Sequence, residues 1–168
     1  MNLAQLNLLA RDEFVRLLGP VFEHSPWIAE ATWPQRPFAG VEALHIALCQ
    51  TVAGAGEEKQ LALIGAHPDL VGRAAQAGTL TPASTHEQAS AGLNQLAPDE
   101  IALFQKFNAA YRAQFGFPFI ICARLNKIEA ILAAFPKRLG HSRVEEIQAA
   151  LAEISKIARL RLDDLVNV

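Results

Sequence analysis

At 168 residues, 51% of them hydrophobic, the chain can bury one sizeable core and is too apolar to be a disordered tract. A formal charge of -2 excludes the broad basic face that nucleic acid requires. The two cysteines, Cys49 and Cys122, lie far apart without metal-like spacing, which excludes a disulfide framework and favours a reducing compartment.

Phe14, Leu17 and Leu18 recur at helical spacing, and Gly19-Pro20 ends that segment. Pro20, Pro26, Pro34 and Pro37 then cut the chain into short helical pieces between loops rich in large aromatics. Val41, Leu44, His45, Leu48, Cys49 and Val52 mark a clear helix, ended by Gly54-Ala55-Gly56. Glu57 and Glu58 suit the positive end of the next helix, which carries Leu61 and Ile64 up to His67, where Pro68 stops it. Gly78 makes a loop after Arg73. Two starts then compete. Thr81-Pro82 reads as a cap followed by proline at the first helical position, whereas Ser84-x-x-Glu87 matches a capping box. Local sequence favours Ser84 as the cap, with the helix running on through Leu93 and Leu96.

Pro98-Asp99-Glu100 opens a strong helix bearing Leu103, Phe104, Phe107 and Tyr111, broken by Gly116-Phe117-Pro118-Phe119. Ile120 to Ala123 reads as an extended entry into a helix through Ile128, Ile131 and Leu132, stopped before Pro136. Ser142-Arg143-Val144-Glu145 is a capping box, and the last helix runs through Ile147, Leu151, Ile154, Ala158, Leu162 and Leu165. Long β-branched alternation is missing. The expectation is an all-α, single-domain irregular bundle of about six to eight helices over residues 1–168, with no repeat and no linker.

Three residues could carry chemistry. His67 is held where an apolar helix ends, so one ring nitrogen can be oriented by backbone while the other faces a cavity. Asp69 and Arg73 could frame that cavity or pair with each other, and the plain alternative is a buried histidine closing a helix. Arg161 falls within the apolar stripe of the last helix, with Ile154, Ile157, Ala158 and Leu165, whereas Arg159 points away with Lys156 and Asp163. A cation there needs an internal salt bridge, a stem laid over apolar surface, or a substrate carboxylate or carbonyl. Glu87 is either the partner of a cap or a carboxylate offered to a ligand. His24, His45, His86 and His141 show no ligand spacing, so no metal is expected. Glycine-rich phosphate loops and Gly-x-Ser-x-Gly are missing. Phe117-Pro118-Phe119 is an aromatic turn that could display backbone donors and acceptors to a planar ligand.

A family becomes visible in the ordered set of motifs. These are Ser25-Pro26-Trp27-Ile28-Ala29-Glu30, Arg36-Pro37-Phe38, His67-Pro68-Asp69-Leu70 and Ser84-x-x-Glu87-Gln88 with Ala91-Gly92-Leu93. Asn108-x-x-Tyr111-x-x-x-Phe115-Gly116-Phe117-Pro118-Phe119 and Lys156-Ile157-Ala158-Arg159-Leu160-Arg161-Leu162 complete it. Together they closely resemble the 2-oxo-4-hydroxy-4-carboxy-5-ureidoimidazoline (OHCU) decarboxylases, which close the route from urate to (S)-allantoin. Residues 124–146 are the least distinctive part. The resemblance implies an all-helical fold, commonly a homodimer, working on a small molecule without metal or organic cofactor. It puts the catalytic pair on His67 and Glu87, and substrate contacts on Pro68, Ser84, Gln88, Phe119, Ile120, Ile121 and Arg161. A related lyase or isomerase acting on another ureido or imidazolone acid would use the same residues, and a helical adaptor would use none of them for chemistry.

No apolar run reaches the roughly 18 residues that cross a bilayer, and no basic stretch leads into an apolar one at the N-terminus. The C-terminal Leu165-Val166-Asn167-Val168 carries no recognised targeting tripeptide. The expected setting is the cytoplasm, of a bacterium rather than the interior of a peroxisome, with neither membrane nor nucleic acid as partner.

Overall fold

The computed structural model describes residues 1–166, so Asn167 and Val168, on which the reading of the C-terminal tripeptide rests in part, lie outside the described residues. Among the described residues there are ten α-helices, short 3-10 turns and no strand. The chain divides into two compact units, Met1–Ala66 with the residues from Ser155 onward, and His67–Ile154.

The first unit holds α1 (Leu3–Asn7), α2 (Arg11–Leu18), α3 (Trp27–Thr32), α4 (Val41–Ala53), α5 (Glu57–Ala66) and the end of α10 (Arg143–Leu165). α1 is a single turn that periodicity cannot reveal. It forms because the Asn2 side chain accepts from the Gln5 N–H and Gln5 reaches back to the Asn2 N–H. Phe14 and Leu18 of α2 and Leu44 and Leu48 of α4 are wholly buried. Arg36 explains one of the sequence motifs. Its guanidinium lies 4.1 Å over the Trp33 ring and donates to the carbonyls of Asn7 and Leu9, which pins the proline-rich loop to the chain start. Phe38 then stacks on Phe14, with ring centroids 6.4 Å apart.

The second unit holds α6 (Arg73–Gln76), α7 (Pro82–Ser90), α8 (Pro98–Phe115), α9 (Ile128–Leu139) and α10 as far as Ile154. Its core is aromatic. Phe119 stacks on Phe135 with centroids 3.8 Å apart and meets Tyr111 edge-on at 5.3 Å, while Phe104 meets Phe135 edge-on at 6.1 Å. The longer helices, α2, α4, α5 and α7 to α10, are those that periodicity and caps reveal; α6 is a further single turn, unmarked in the sequence.

Three boundaries differ from expectation. The cap of α7 is Thr81, whose hydroxyl accepts from the Ser84 N–H at 3.3 Å, with Pro82 first in the helix. Proline there wastes no hydrogen bond, because that N–H has no partner within a helix anyway. The same helix ends at Ser90, where the chain turns through Gly92 at φ 78°, so Leu93 and Leu96 lie beyond it. α9 does not stop before Pro136 but runs through it to Leu139. The bond lost at Pro136 lies in the last turn, on an exposed residue, while Phe135 and Arg138 on either side are anchored in the interior.

Candidate active site

His67 follows directly on the last residue of α5 and is buried, 6% exposed. The segment after it is tied down residue by residue. The Asp69 carboxylate accepts from Arg112 Nε at 2.9 and 3.0 Å, so its salt bridge is to α8 and not to Arg73, which opens α6 and is exposed. The Leu70 carbonyl accepts from Asn108 Nδ2 at 2.8 Å. The Val71 N–H donates to Gln88 Oε1 at 3.1 Å, with Gln88 Nε2 3.5 Å from the Asp69 carbonyl.

Val71 is buried at φ 53°, a left-handed conformation that costs a β-branched residue on the order of 1–3 kcal/mol. Such a turn persists only where its surroundings over-determine it, and the clamps from α7 and α8 do so. Gly72 closes it by close approach. A β-carbon there would sit 2.7 Å from Asp69 Cβ and 3.2 Å from the Asp69 carbonyl oxygen.

α7 presents the next three candidates together. Ser84, Glu87 and Gln88 recur at the spacing that puts side chains on one helical face, and Gln88 shows that this face meets the His67–Val71 segment. Ser84 and Gln88 are buried and Glu87 is half-buried, whereas Thr85 and His86 on the opposite side are exposed. With Thr81 as the cap, Ser84 and Glu87 lie within the helix rather than at its start. Pro68, beside His67, is half-buried.

The extended segment after α8 begins at Gly116, whose φ of 81° lets the chain leave the helix abruptly. Phe117, Pro118, Phe119 and Ile120 are buried and Ile121 is half-buried. The Cys122 N–H donates to Glu153 Oε2 at 2.8 Å. Beneath this segment, Arg138 of α9 is forked onto Glu146 of α10, which is wholly buried.

Arg161 belongs to the other unit. It is buried, 6% exposed, as its helical phase requires. Its Nη1 lies 3.1 Å from Glu23 Oε2 and also faces the carbonyls of Pro20 and Val21, so the internal salt bridge is present. Arg159 points outward to Asp163 and Glu42.

The same unit holds a second cluster with a nucleophile's composition, His45, Cys49 and Ser155. His45 Nε2 lies 2.9 Å from the Ser155 carbonyl, which can only accept, so that nitrogen carries the proton and cannot take one from the Cys49 thiol. Burial pushes the thiol up from its ordinary value, which further disfavours the thiolate. Among the described residues no group of three or more His, Cys, Asp or Glu side chains could hold a metal ion. No described helix is long and apolar enough to cross a membrane.

Sequence reasoning missed Asn108, Arg112 and Arg138 as supports. The signal was present for two of them. Asn108 lies in the buried stripe of Phe104, Tyr111 and Phe115, and Arg138 in that of Ile131 and Phe135, polar side chains inside apolar stripes just as Arg161 is.

The sequence model of a family described as OHCU decarboxylase matches residues 7–163. The 2-oxo-4-hydroxy-4-carboxy-5-ureidoimidazoline decarboxylase of Halalkalicoccus jeotgali is 42% identical over 165 residues, covering 98% of this chain and 92% of that one. A crystal structure of (S)-allantoin synthase superposes with a TM-score of 0.80 at 28% identity, over 99% of this chain and 54% of the other. A crystal structure of OHCU decarboxylase in the presence of (S)-allantoin gives 0.69 at 25% identity, over 92% and 96%.

Proposed function

The chain belongs to the OHCU decarboxylase family, and we propose that it is a carboxy-lyase converting OHCU to (S)-allantoin in urate degradation. The observation that carries this reading is the likeness to decarboxylases over nearly the whole length of both chains, and the motifs that contain His67, Ser84, Glu87 and Arg161 support it.

The chemistry needs no cofactor because the substrate holds its own electron sink. Its carboxylate sits on a ring carbon next to a C=N bond. Breaking the carbon–carboxylate bond releases CO2 and leaves the electron pair to form C=C, while the imine pair moves onto ring nitrogen. The resulting enol collapses to a carbonyl as the neighbouring ring carbon is protonated from one face, giving the S product.

His67 is the general acid-base, acting at the hydroxyl or in delivering the proton. Glu87 grips ring or ureido N–H groups and steadies the charge on His67. Ser84, Gln88 and Pro68 supply neighbouring contacts, and the burial of Ser84 and Gln88 beside a clamped loop supports a rigid surface for them. The backbone of Phe119, Ile120 and Ile121 meets the ureido group. Arg161 takes a substrate carbonyl oxygen, its guanidinium already oriented by Glu23 and two backbone carbonyls. A carbonyl suits it better than the departing carboxylate, since tight ground-state binding of that group would slow the step. The family resemblance supports a homodimer, which light scattering of the purified chain reads directly. Only two cysteines, far apart in the sequence, support a reducing compartment such as the cytoplasm.

The test follows freshly generated OHCU by circular dichroism, because the substrate decays unaided to racemic allantoin and only the chiral signal isolates the enzyme. Wild type should accelerate the (S)-allantoin signal, and His67→Asn and Glu87→Gln should each lose about a hundredfold or more with the fold retained. Well-folded wild type that does no better than the blank would overturn the assignment.

A further inference from the structure

Arg138, Glu146 and His141 fall in the stretch that carries no family motif, yet they form a polar cluster in the second unit with Arg138 and Glu146 buried. Glu146 is wholly buried, and both its oxygens are engaged. Oε2 accepts from Arg138 Nη2 at 2.7 Å and from the Tyr111 hydroxyl, and Oε1 lies 2.7 Å from His141 Nδ1 and 3.2 Å from Arg138 Nε. Burial raises the Glu146 carboxyl, but the bonds from Arg138 and Tyr111 outweigh it and hold the group below the usual carboxylate range.

A buried ion pair is a poor way to gain stability, because apolar residues of similar volume commonly serve as well or better. What it supplies is a fixed direction. With its fork locked on Glu146, Arg138 sends Nη1 to the Ile120 carbonyl at 2.5 Å and lays its guanidinium 4.4 Å over the Phe119 ring. One side chain thus holds two consecutive residues of the extended segment.

Peptide planarity carries the consequence one residue further. Fixing the Ile120 carbonyl fixes the whole plane to Ile121, so the Ile121 N–H points the opposite way from Arg138. The Cys122 N–H, bound to Glu153 at 2.8 Å, likewise sets the Ile121 carbonyl in the direction away from Glu153. A donor and an acceptor on one residue are the complement of a ureido or amide group.

We infer that Arg138, locked by Glu146, is a positioning residue for the decarboxylation, aiming the backbone of Phe119 to Ile121 so that Ile121 can receive the ureido group. This rests on the reading above, in which that backbone meets substrate. Arg138 touches no reacting atom. Its loss should therefore weaken binding and alignment rather than remove an acid or base.

The experiment compares wild type with the double replacement Arg138→Met/Glu146→Leu and with Arg138→Lys. The first exchanges both buried charges for apolar volume; the second keeps the cation against Glu146 and loses the fork. Folding is checked by urea denaturation, KM and kcat by the dichroism assay, and affinity for (S)-allantoin by calorimetry. For each variant that folds, KM should rise about tenfold or more with a smaller fall in kcat, and the Kd for (S)-allantoin should rise in step. Arg138→Lys should lie between wild type and the double variant. A folded variant with wild-type KM and wild-type affinity overturns the positioning role, and so does a loss confined to kcat. Should the double variant fail to fold, Arg138→Lys decides alone; if it too fails to fold, Arg138 is structural and the inference falls. Wild type that does not turn over OHCU sinks the functional reading instead, so the two failures stay distinct.

Discussion

Asn108 shows how a single buried amide can hold a loop in place. Its Nδ2 donates to the Leu70 carbonyl at 2.8 Å, while its Oδ1 is buried without a hydrogen-bond partner among the described residues. An unsatisfied acceptor costs about 1–3 kcal/mol, so leucine would pack more cheaply there were the bond to the His67 loop not needed. Asn108→Asp sharpens the point, since it replaces the donor by an oxygen facing another oxygen and buries a carboxylate. It should destabilise the chain by about 3 kcal/mol or more and lower turnover further in whatever remains folded. A urea midpoint at the wild-type value would show that the loop does not depend on this bond. The same residue marks the limit of reading at this scale. Arg161 is legible because its helical phase conflicts with its charge. Its partner Glu23 is not, being 138 residues away in sequence with no pattern linking the two.

At the scale of the element, α7 is where two local rules compete. Ser84-x-x-Glu87 satisfies the capping-box pattern, but Thr81-Pro82 wins, because proline at the first helical position brings its fixed φ and gives up no bond. With the cap at Thr81, Ser84 lies inside the helix, on the face it shares with Glu87 and Gln88. Thr81→Ala should lower stability by about 1 kcal/mol, the usual cost of a lost cap, with KM nearly unchanged. Ser84→Ala should do the converse, raising KM with a smaller effect on stability. Equal stability losses in both, read by thermal denaturation, would return the cap to Ser84. Elsewhere the long helices were legible from stripes and caps, and Ser142 does cap α10 through reciprocal bonds with Glu145. α1 and α6 were not, because a single turn is shorter than any period. Pro136 misled for the opposite reason. Phe135 and Arg138 bind its helix to the core strongly enough to override a local breaker.

For the molecule as a whole, the buried cluster of Tyr111, Arg138 and Glu146 sets opposite limits on pH. Glu146 is held below its ordinary value in the folded chain. Its contribution is therefore complete above the unfolded value, about 4.3, and is lost as pH falls from there through the lower folded value. Tyr111 is pushed the other way, by burial first and then by its bond to the Glu146 carboxylate, so the folded chain keeps the phenol protonated. Its contribution is complete below the unfolded value, about 10, and fades as pH rises above it. The chain contains one tyrosine, so phenolate absorbance reports this group alone. Folded protein at about pH 10.5 should show almost no phenolate, denatured protein should titrate near 10, and the signal should rise only as the fold is lost. Tyr111→Phe should flatten the alkaline fall in stability and shrink the acid limb, since its bond helps hold Glu146 low, leaving the part that belongs to Arg138. A phenol that ionises near 10 with the fold intact would mean that the hydroxyl is not held on Glu146, and the buried cluster would lose the member that links α8 to α10.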